Sequence, residues 1–274
     1  MKNYQVLPLM FALSALSSAS AQAAGFLTAN ASAGCPGSTH EENLTSFTSG
    51  QLLASPAPSL YSDPDQVAAC SAAAMSSFGH LSGYGAISNS IQSPPNSVRT
   101  GGGSASMTSN YYDPITVLNA ATGSYLRMFY TFSFSGDLSV GSYGGNSNSF
   151  AAIYYLNGSP SVFSSFTAGS WNSTVSGAVD YTIQAGHTIV TAQVNGGSTC
   201  TTIAYSGESD SCSGSFNVEW TVTGWQVLDD SFQLIADATI QSESGASYTA
   251  PEPASFGLLA VGVGLALLRR RSVR

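Results

Sequence analysis

From about Tyr111 to Ile240 the chain alternates apolar and polar residues in short runs. The clearest is Tyr125–Phe134, in which Leu126, Met128, Tyr130, Phe132 and Phe134 recur at period two and would face one side of a strand. Phe150–Leu156, Gly177–Ile183, His187–Val194, Phe216–Thr223, Trp225–Leu228 and Phe232–Ile240 read as further strands. Asn157-Gly158-Ser159-Pro160 and Asn195-Gly196-Gly197 read as turns between them. The connections are too short for helical crossovers, and no fixed-period repeat appears. The pattern predicts a mainly β fold, an antiparallel β-sandwich of jelly-roll type, over residues 105–248.

Residues 24–104 look different. Ala, Ser and Pro are mixed, and Pro56, Pro58 and Pro64 break long elements. One helix is predicted there, with Asp63 as N-cap, Pro64 in the first helical position and Ala-rich sequence running to Met75, ending before Gly79. Gly101-Gly102-Gly103-Ser104 reads as a flexible connection. The expectation for 24–104 is therefore an irregular or helical segment ahead of the sandwich.

The two ends carry signals. Lys2, the apolar run Val6–Leu16 and the small-residue ending Ala21-Gln22-Ala23 follow the order of a secretory signal peptide over residues 1–23, cleaved by signal peptidase after Ala23. Ser255–Leu268 is uncharged and weakly apolar. As a helix it reaches about 21 Å at ~1.5 Å per residue, short of a ~30 Å hydrocarbon core. Arg269, Arg270 and Arg271 follow it, with Arg274 beyond, and would stay on the cytoplasmic side. Pro251 and Pro253 hold the preceding stretch extended and accessible. Residues 249–274 are expected to form one short transmembrane helix and its flanks.

Pro251-Glu252-Pro253, a weakly apolar helix and a terminal arginine cluster, preceded by Gln241–Tyr248, resemble the PEP-CTERM sorting signal. The resemblance covers roughly the last two dozen residues. It implies recognition and cleavage near the motif by an exosortase, a membrane-embedded cysteine transpeptidase-like enzyme. It also implies delivery to the envelope, the surface or the extracellular polysaccharide matrix of a Gram-negative-type bacterium, with transient membrane anchoring.

Charge narrows the partners. The formal charge is -8, and between the two end signals the only Lys or Arg residues are Arg99 and Arg127. An acidic body does not bind phosphate backbones or anionic head groups, so nucleic acid and lipid surfaces are excluded as its ligands. Neutral polysaccharide, cations and self-association remain. The four cysteines are expected to form structural disulfides outside the cytoplasm. Three pairings are possible, and Cys35–Cys70 with Cys200–Cys212 closes the shortest loops. Cys200 and Cys212 flank Ser206–Ser211, which suits a bridge across a hairpin loop.

No catalytic constellation stands out. His40 beside Glu41-Glu42, His80 and His187 do not cluster with the cysteines as in a zinc site. Gly207-Glu208-Ser209-Asp210-Ser211 lacks the second glycine of a nucleophile elbow. Asp137, Asp180, Glu219 and Asp229 are candidate glycosidase carboxylates, but no pair is selected; Glu219 is notable beside Trp220. Calcium is the most credible ion, with Asp63/Asp65 and Asp229/Asp230 as candidate pairs, yet neither forms a known loop and no site is assigned. Tyr111, Tyr112, Tyr143, Tyr154, Tyr155, Trp171 and Trp225 could stack on sugars or fill the core. Asn30-Ala31-Ser32, Asn43-Leu44-Thr45, Asn157-Gly158-Ser159 and Asn172-Ser173-Thr174 match the glycosylation acceptor pattern, as chance allows in such a composition.

The sequence thus points first to a non-enzymatic surface or matrix protein, structural or adhesive, in the envelope or biofilm. A carbohydrate-binding or glycan-hydrolysing extracellular protein is the second reading. An ice-binding surface protein is the third, with Thr221-Val222-Thr223 as an isolated Thr-x-Thr.

Overall fold

The alternation at Tyr125–Phe134 is one part of a longer strand in an all-strand body. The computed structural model describes residues 25–244 except 48–49, 143–148, 157–158, 166 and 186. The expected signal peptide and the Pro251-Glu252-Pro253 tail lie outside the described residues. The strands are β1 (Phe26–Cys35), β2 (Ser38–Ser46), β3 (Leu52–Ala54), β4 (Ser59–Asp63), β5 (Gln66–Ser77), β6 (His80–Gln92) and β7 (Arg99–Leu118). They continue as β8 (Tyr125–Ser139), β9 (Ser149–Leu156), β10 (Ser159–Ser165), β11 (Gly169–Thr182), β12 (Thr188–Ala204), β13 (Ser209–Leu228) and β14 (Thr239–Ser242). Among the described residues there is no helix, and so none long and apolar enough to cross a membrane.

Two 7-stranded antiparallel sheets face each other. The first has the order β10-β9-β12-β7-β1-β2, with β14 beside β7; the second has the order β11-β8-β13-β6-β5-β3, with β4 beside β5. Strands β6 to β13 pair in a nested way, β6 with β13, β7 with β12, β8 with β11 and β9 with β10. They amount to one long hairpin rolled so that successive pairs fall in alternate sheets. β1 and β2 extend the first sheet beyond β7, and β5, β3 and β4 extend the second beyond β6.

This corrects the expectation for residues 24–104. The segment is strand throughout most of its length, and the position expected to divide it from the sandwich falls inside β7. The predicted helix is β4, a turn and β5. Ala has the best helix propensity, but here packing overrides it. Ala68, Ala72 and Ala74 of β5 are buried, as are Ala29, Ala31 and Ala33 of β1 in the facing sheet. Short side chains let the two sheets approach closely enough for the Cys35–Cys70 disulfide, with Cα atoms 5.8 Å apart. Asp63 does not cap a helix; its Oδ1 accepts the Asp65 N–H at 2.8 Å and turns the β4–β5 hairpin.

Both glycine runs also differ from expectation. Gly101-Gly102-Gly103 lies inside β7, and Asn195-Gly196-Gly197 lies inside an uninterrupted β12. Close packing explains them. A Cβ on Gly103 would sit 2.6 Å from Cys70 Sγ, and one on Gly196 would sit 2.6 Å from the Phe216 ring. Phe232–Ile240 is mostly turn: Asp229 Oδ1 accepts the Ser231 and Gln233 N–H groups at 2.9 and 2.8 Å, and only β14 is strand.

The expected disulfide pairing is present, with one difference. Cys200 lies on β12 and Cys212 on β13, which belong to opposite sheets. The turn between them carries the chain from one sheet to the other. Both bridges therefore cross the sandwich, and they lie close together: Cys200 pairs across from Gly103, whose α-carbon faces Cys70.

The core changes character from side to side. Under β1 and β5 it is alanine. Under β8 to β11 it is aromatic, with Phe150 stacked on Trp171 at 5.2 Å and 8°, and Phe134 on Phe163 at 4.6 Å. Tyr111 and Trp220 meet in the middle at 5.6 Å.

Candidate functional surfaces

Among the described residues, five contacts between charged side chains join Arg99, Arg127, His80 and His187 to carboxylates. Arg99 reaches Asp63 at 3.4 Å and Asp65 at 2.5 Å, and Tyr61 donates its hydroxyl to Asp63 at 2.8 Å. That hydroxyl, ahead of the Asp65 N–H, holds the Asp63 carboxyl below the usual carboxylate range, and the same bond raises Tyr61. A pair already satisfied by a guanidinium is not a vacant calcium cage. Asp229 is committed to its turn, as described, and Ser231 donates to Asp230 at 3.3 Å. Arg127 holds Asp180 in a bidentate pair, 2.7 Å at both contacts, which raises the guanidinium's pKa. Glu219 is exposed on the outer face and pairs with His80 at 3.1 Å, while Trp220 beside it points into the core. His40 is exposed on β2 and His187 pairs with Glu243. Among the described residues no group of three or more His, Cys, Asp or Glu could hold a metal ion.

The aromatics do not form one platform. Tyr111, Tyr154 and Trp225 are buried, and Trp171 packs on Phe150. Tyr112 lies on the outer face, stacked on Phe26 at 5.1 Å. Tyr143 lies outside the described residues.

What the fold presents is two broad faces rich in hydroxyl and amide groups. Across the first sheet the outward residues form rows such as Thr45–Thr28–Asn110–Gln193–Tyr155 and Asn43–Asn30–Thr108–Asn195–Ile153. Hydrogen bonds run within and between the rows: Asn110 Nδ2 donates to Thr28 Oγ1 at 2.6 Å and Gln193 Nε2 to Asn195 Oδ1 at 2.9 Å. Across the second sheet the rows include Asn172–Ser135–Asn217–Tyr84 and Ser139–Ser213–Ser88–Ala69. Thr221 and Thr223 do not start a Thr ladder, because a β-bulge between Val222 and Gly224 shifts the register.

The two ends of the sandwich differ. The disulfide end holds a buried chain of amides: Gln66 donates to Asn89 Oδ1 at 2.9 Å, and Asn89 donates to Thr202 Oγ1. Beside it an open hollow of about 280 Å³ is lined mostly by serines, with Asp210, Val140 and Gly141. Asp210 is spent on structure there, accepting the Ser142 N–H at 2.8 Å and the Ile203 N–H at 3.1 Å. At the opposite end Gly25 and Ser244 lie side by side; a Cβ on Gly25 would be 2.8 Å from Ser244 Cβ. The chain therefore enters and leaves its described body at one end. Asp113, 0% exposed, receives the Ser242 hydroxyl at 2.9 and 2.8 Å and clamps β14 there.

Sequence reasoning missed Asp113 and the Gln66–Asn89–Thr202 chain. Their only signal was phase: each is a polar residue at an inward position of an alternating strand. No protein-family profile and no curated protein matches this chain.

Proposed function

We propose that this chain is an exported, non-enzymatic surface or matrix protein, directed by its PEP-CTERM-like tail and structural or adhesive in role. The observation that carries the reading is the placement of the chain's exits. Gly25 and Ser244 leave at one end, so a signal peptidase cleaving after Ala23 and an exosortase acting near Pro251-Glu252-Pro253 would both work beside that end. The faces and the disulfide end stay free to meet the surroundings. Two inter-sheet disulfides suit an oxidising compartment. The nested pairing of β6 to β13 supports the jelly-roll reading, a scaffold that hosts many functions and so assigns none by itself.

Neutral polysaccharide is the partner the surface chemistry favours. Both faces present hydroxyl and amide groups with almost no basic side chains, which suits hydrogen bonding to uncharged sugars and repels anionic polymers. Glycan hydrolysis has less support, since the candidate carboxylates Asp180 and Glu219 are held by Arg127 and His80, Asp229 by its turn, and Asp137 accepts the Ser170 hydroxyl. The ice-binding reading is weaker still, because the outward rows mix Asn, Gln and Tyr with Thr. Fractionation of the producing cell with mass spectrometry of both termini tests the proposal. The expected mature protein begins at Ala24, ends near Pro251–Pro253, and is found at the surface or in the matrix. A surface form that still carries Arg274 would defeat the sorting step.

A further inference from the structure

The rolled hairpin leaves open sheet edges, and an open edge is a row of backbone donors and acceptors ready to pair with another chain. The edges of this protein are not equal. β2 carries His40, Glu41 and Glu42. β10 is 7 residues long and contains Pro160. β3 and β4 are 3 and 5 residues. Charge, proline and brevity are the usual guards against edge pairing. β11 lacks two of them and carries the third only in neutralised form. It is 14 residues long, lacks proline, and has β8 as its one sheet neighbour among the described residues. Its single charge, Asp180, is neutralised within its own sheet by Arg127. The only lysine in the whole chain is Lys2, so none is available to guard it.

We infer that β11 is a self-association edge, and that a second copy of this chain pairs with it antiparallel about a two-fold axis through Val175. In that register opposed residues share a face, as antiparallel pairing requires. Val175, 43% exposed although it faces inward, meets Val175 of the second copy. Trp171 meets Val179, Thr174 meets Ser176, and Asp180 meets Ser170, so no like charges oppose one another. Spanning Gly169–Tyr181, the ladder is about 44 Å long at ~3.4 Å per residue. It would join the second sheets of two copies into one continuous sheet. This goes beyond the sorting proposal and does not depend on it.

The test is the mass of the full-length chain, exported to an oxidising compartment and purified, measured by light scattering over a concentration series. The wild-type protein is expected to dimerise. Thr174→Lys with Ser176→Lys sets two lysine pairs across the axis and should weaken association about tenfold or more. Thr174→Lys with Ser176→Glu turns each pair into an ion pair and should restore wild-type association, which also shows that lysine at 174 is compatible with folding. Val175→Cys should give a dimer on non-reducing gels that reductant dissolves. A wild-type protein that stays monomeric at its highest soluble concentration overturns the inference. So does a dimer that the double-lysine variant leaves intact, as would be seen if the tail or one of the two broad faces drove association.

Discussion

Gly103→Ala separates two physical accounts of the Gly101–Gly103 run by the sign of its effect. If the run were a flexible connection, alanine would restrict the unfolded chain and stabilise the protein by about 0.4–1 kcal/mol. In the structure Gly103 lies inside β7 at the point where the sheets are stapled. A Cβ there would lie 2.6 Å from Cys70 Sγ, 3.0 Å from Ile87 Cγ2 and 3.2 Å from the Gly34 carbonyl, against 3.4–4 Å for ordinary contact. The sulfur is fixed by its bond to Cys35, so the strain has to spread into the backbones of β5 or β7. Overpacking of this kind costs about 1–3 kcal/mol. The closest obstacle can be removed: in a Cys35→Ala/Cys70→Ala background the Sγ atom is gone, and the same substitution should cost less than about 1 kcal/mol. The double-mutant cycle then gives a coupling of about 1 kcal/mol or more between sites in direct contact. Gly50→Ala is the control, because a Cβ there meets nothing within 4 Å. Urea unfolding followed by tryptophan fluorescence, with disulfides kept oxidised, reads all of these. A Gly103→Ala protein as stable as wild type, or more so, in both backgrounds would refute close packing as the reason for the glycine.

The two disulfides should differ in their effect. Cys35–Cys70 spans 35 residues and Cys200–Cys212 spans 12, so loop entropy assigns them about 4 and about 3 kcal/mol respectively; paired Cys→Ala variants in calorimetry should lose Tm in that order, and the reverse order would point to native-state packing instead. Alkaline pH should weaken the fold. Burial raises Tyr111 and Tyr181 and lifts Tyr130 to about 12 from 10.0, so above pH 10 the unfolded chain gives up protons that the folded one keeps. That stabilisation is complete below the ordinary phenol pKa and is lost as pH climbs toward 12. Phenolate absorbance should show the buried Tyr111 and Tyr181 ionising together with loss of fold; complete tyrosine ionisation in a still-folded protein would contradict it.

The sequence was legible where a strand has one wet and one dry face. In β8, Leu126, Met128, Phe132 and Phe134 are buried as the alternation requires, with Tyr130 packed against the core. It was illegible where side-chain size rather than polarity does the work. β5 reads QVAACSAAAMSS, in which inward and outward positions are both small, so period two is invisible and helix propensity misleads. The glycine runs failed for the same reason: their signature marks either freedom or crowding, and only the facing sheet decides which. The cysteine pairing could be read from loop length, but the switch of sheets between Cys200 and Cys212 could not. Of the candidate functional features, the tail lies outside the described residues and stays part of the proposal. The Asp113–Ser242 clamp was not readable, since its partners are 129 residues apart.

That clamp bears on how an anchored form would carry load. On the proposed route the body is attached through the chain that leaves at Ser244. β14, the element next to that exit, is only 4 residues long and half exposed. Short, exposed elements open first, so pulling on the tail would peel β14 from β7 before disturbing the other strands of either sheet. Asp113 opposes the peeling because losing Ser242 would cost a hydrogen bond to a charged group, about 1.5–3 kcal/mol. The disulfides lie at the other end, where they hold β1 to β5 and β12 to β13 and do nothing for β14. The body thus has a short, half-exposed strand next to its exit and is covalently closed at the opposite end. That arrangement would let a tethered copy yield at its exit and keep the two faces and the β11 edge intact.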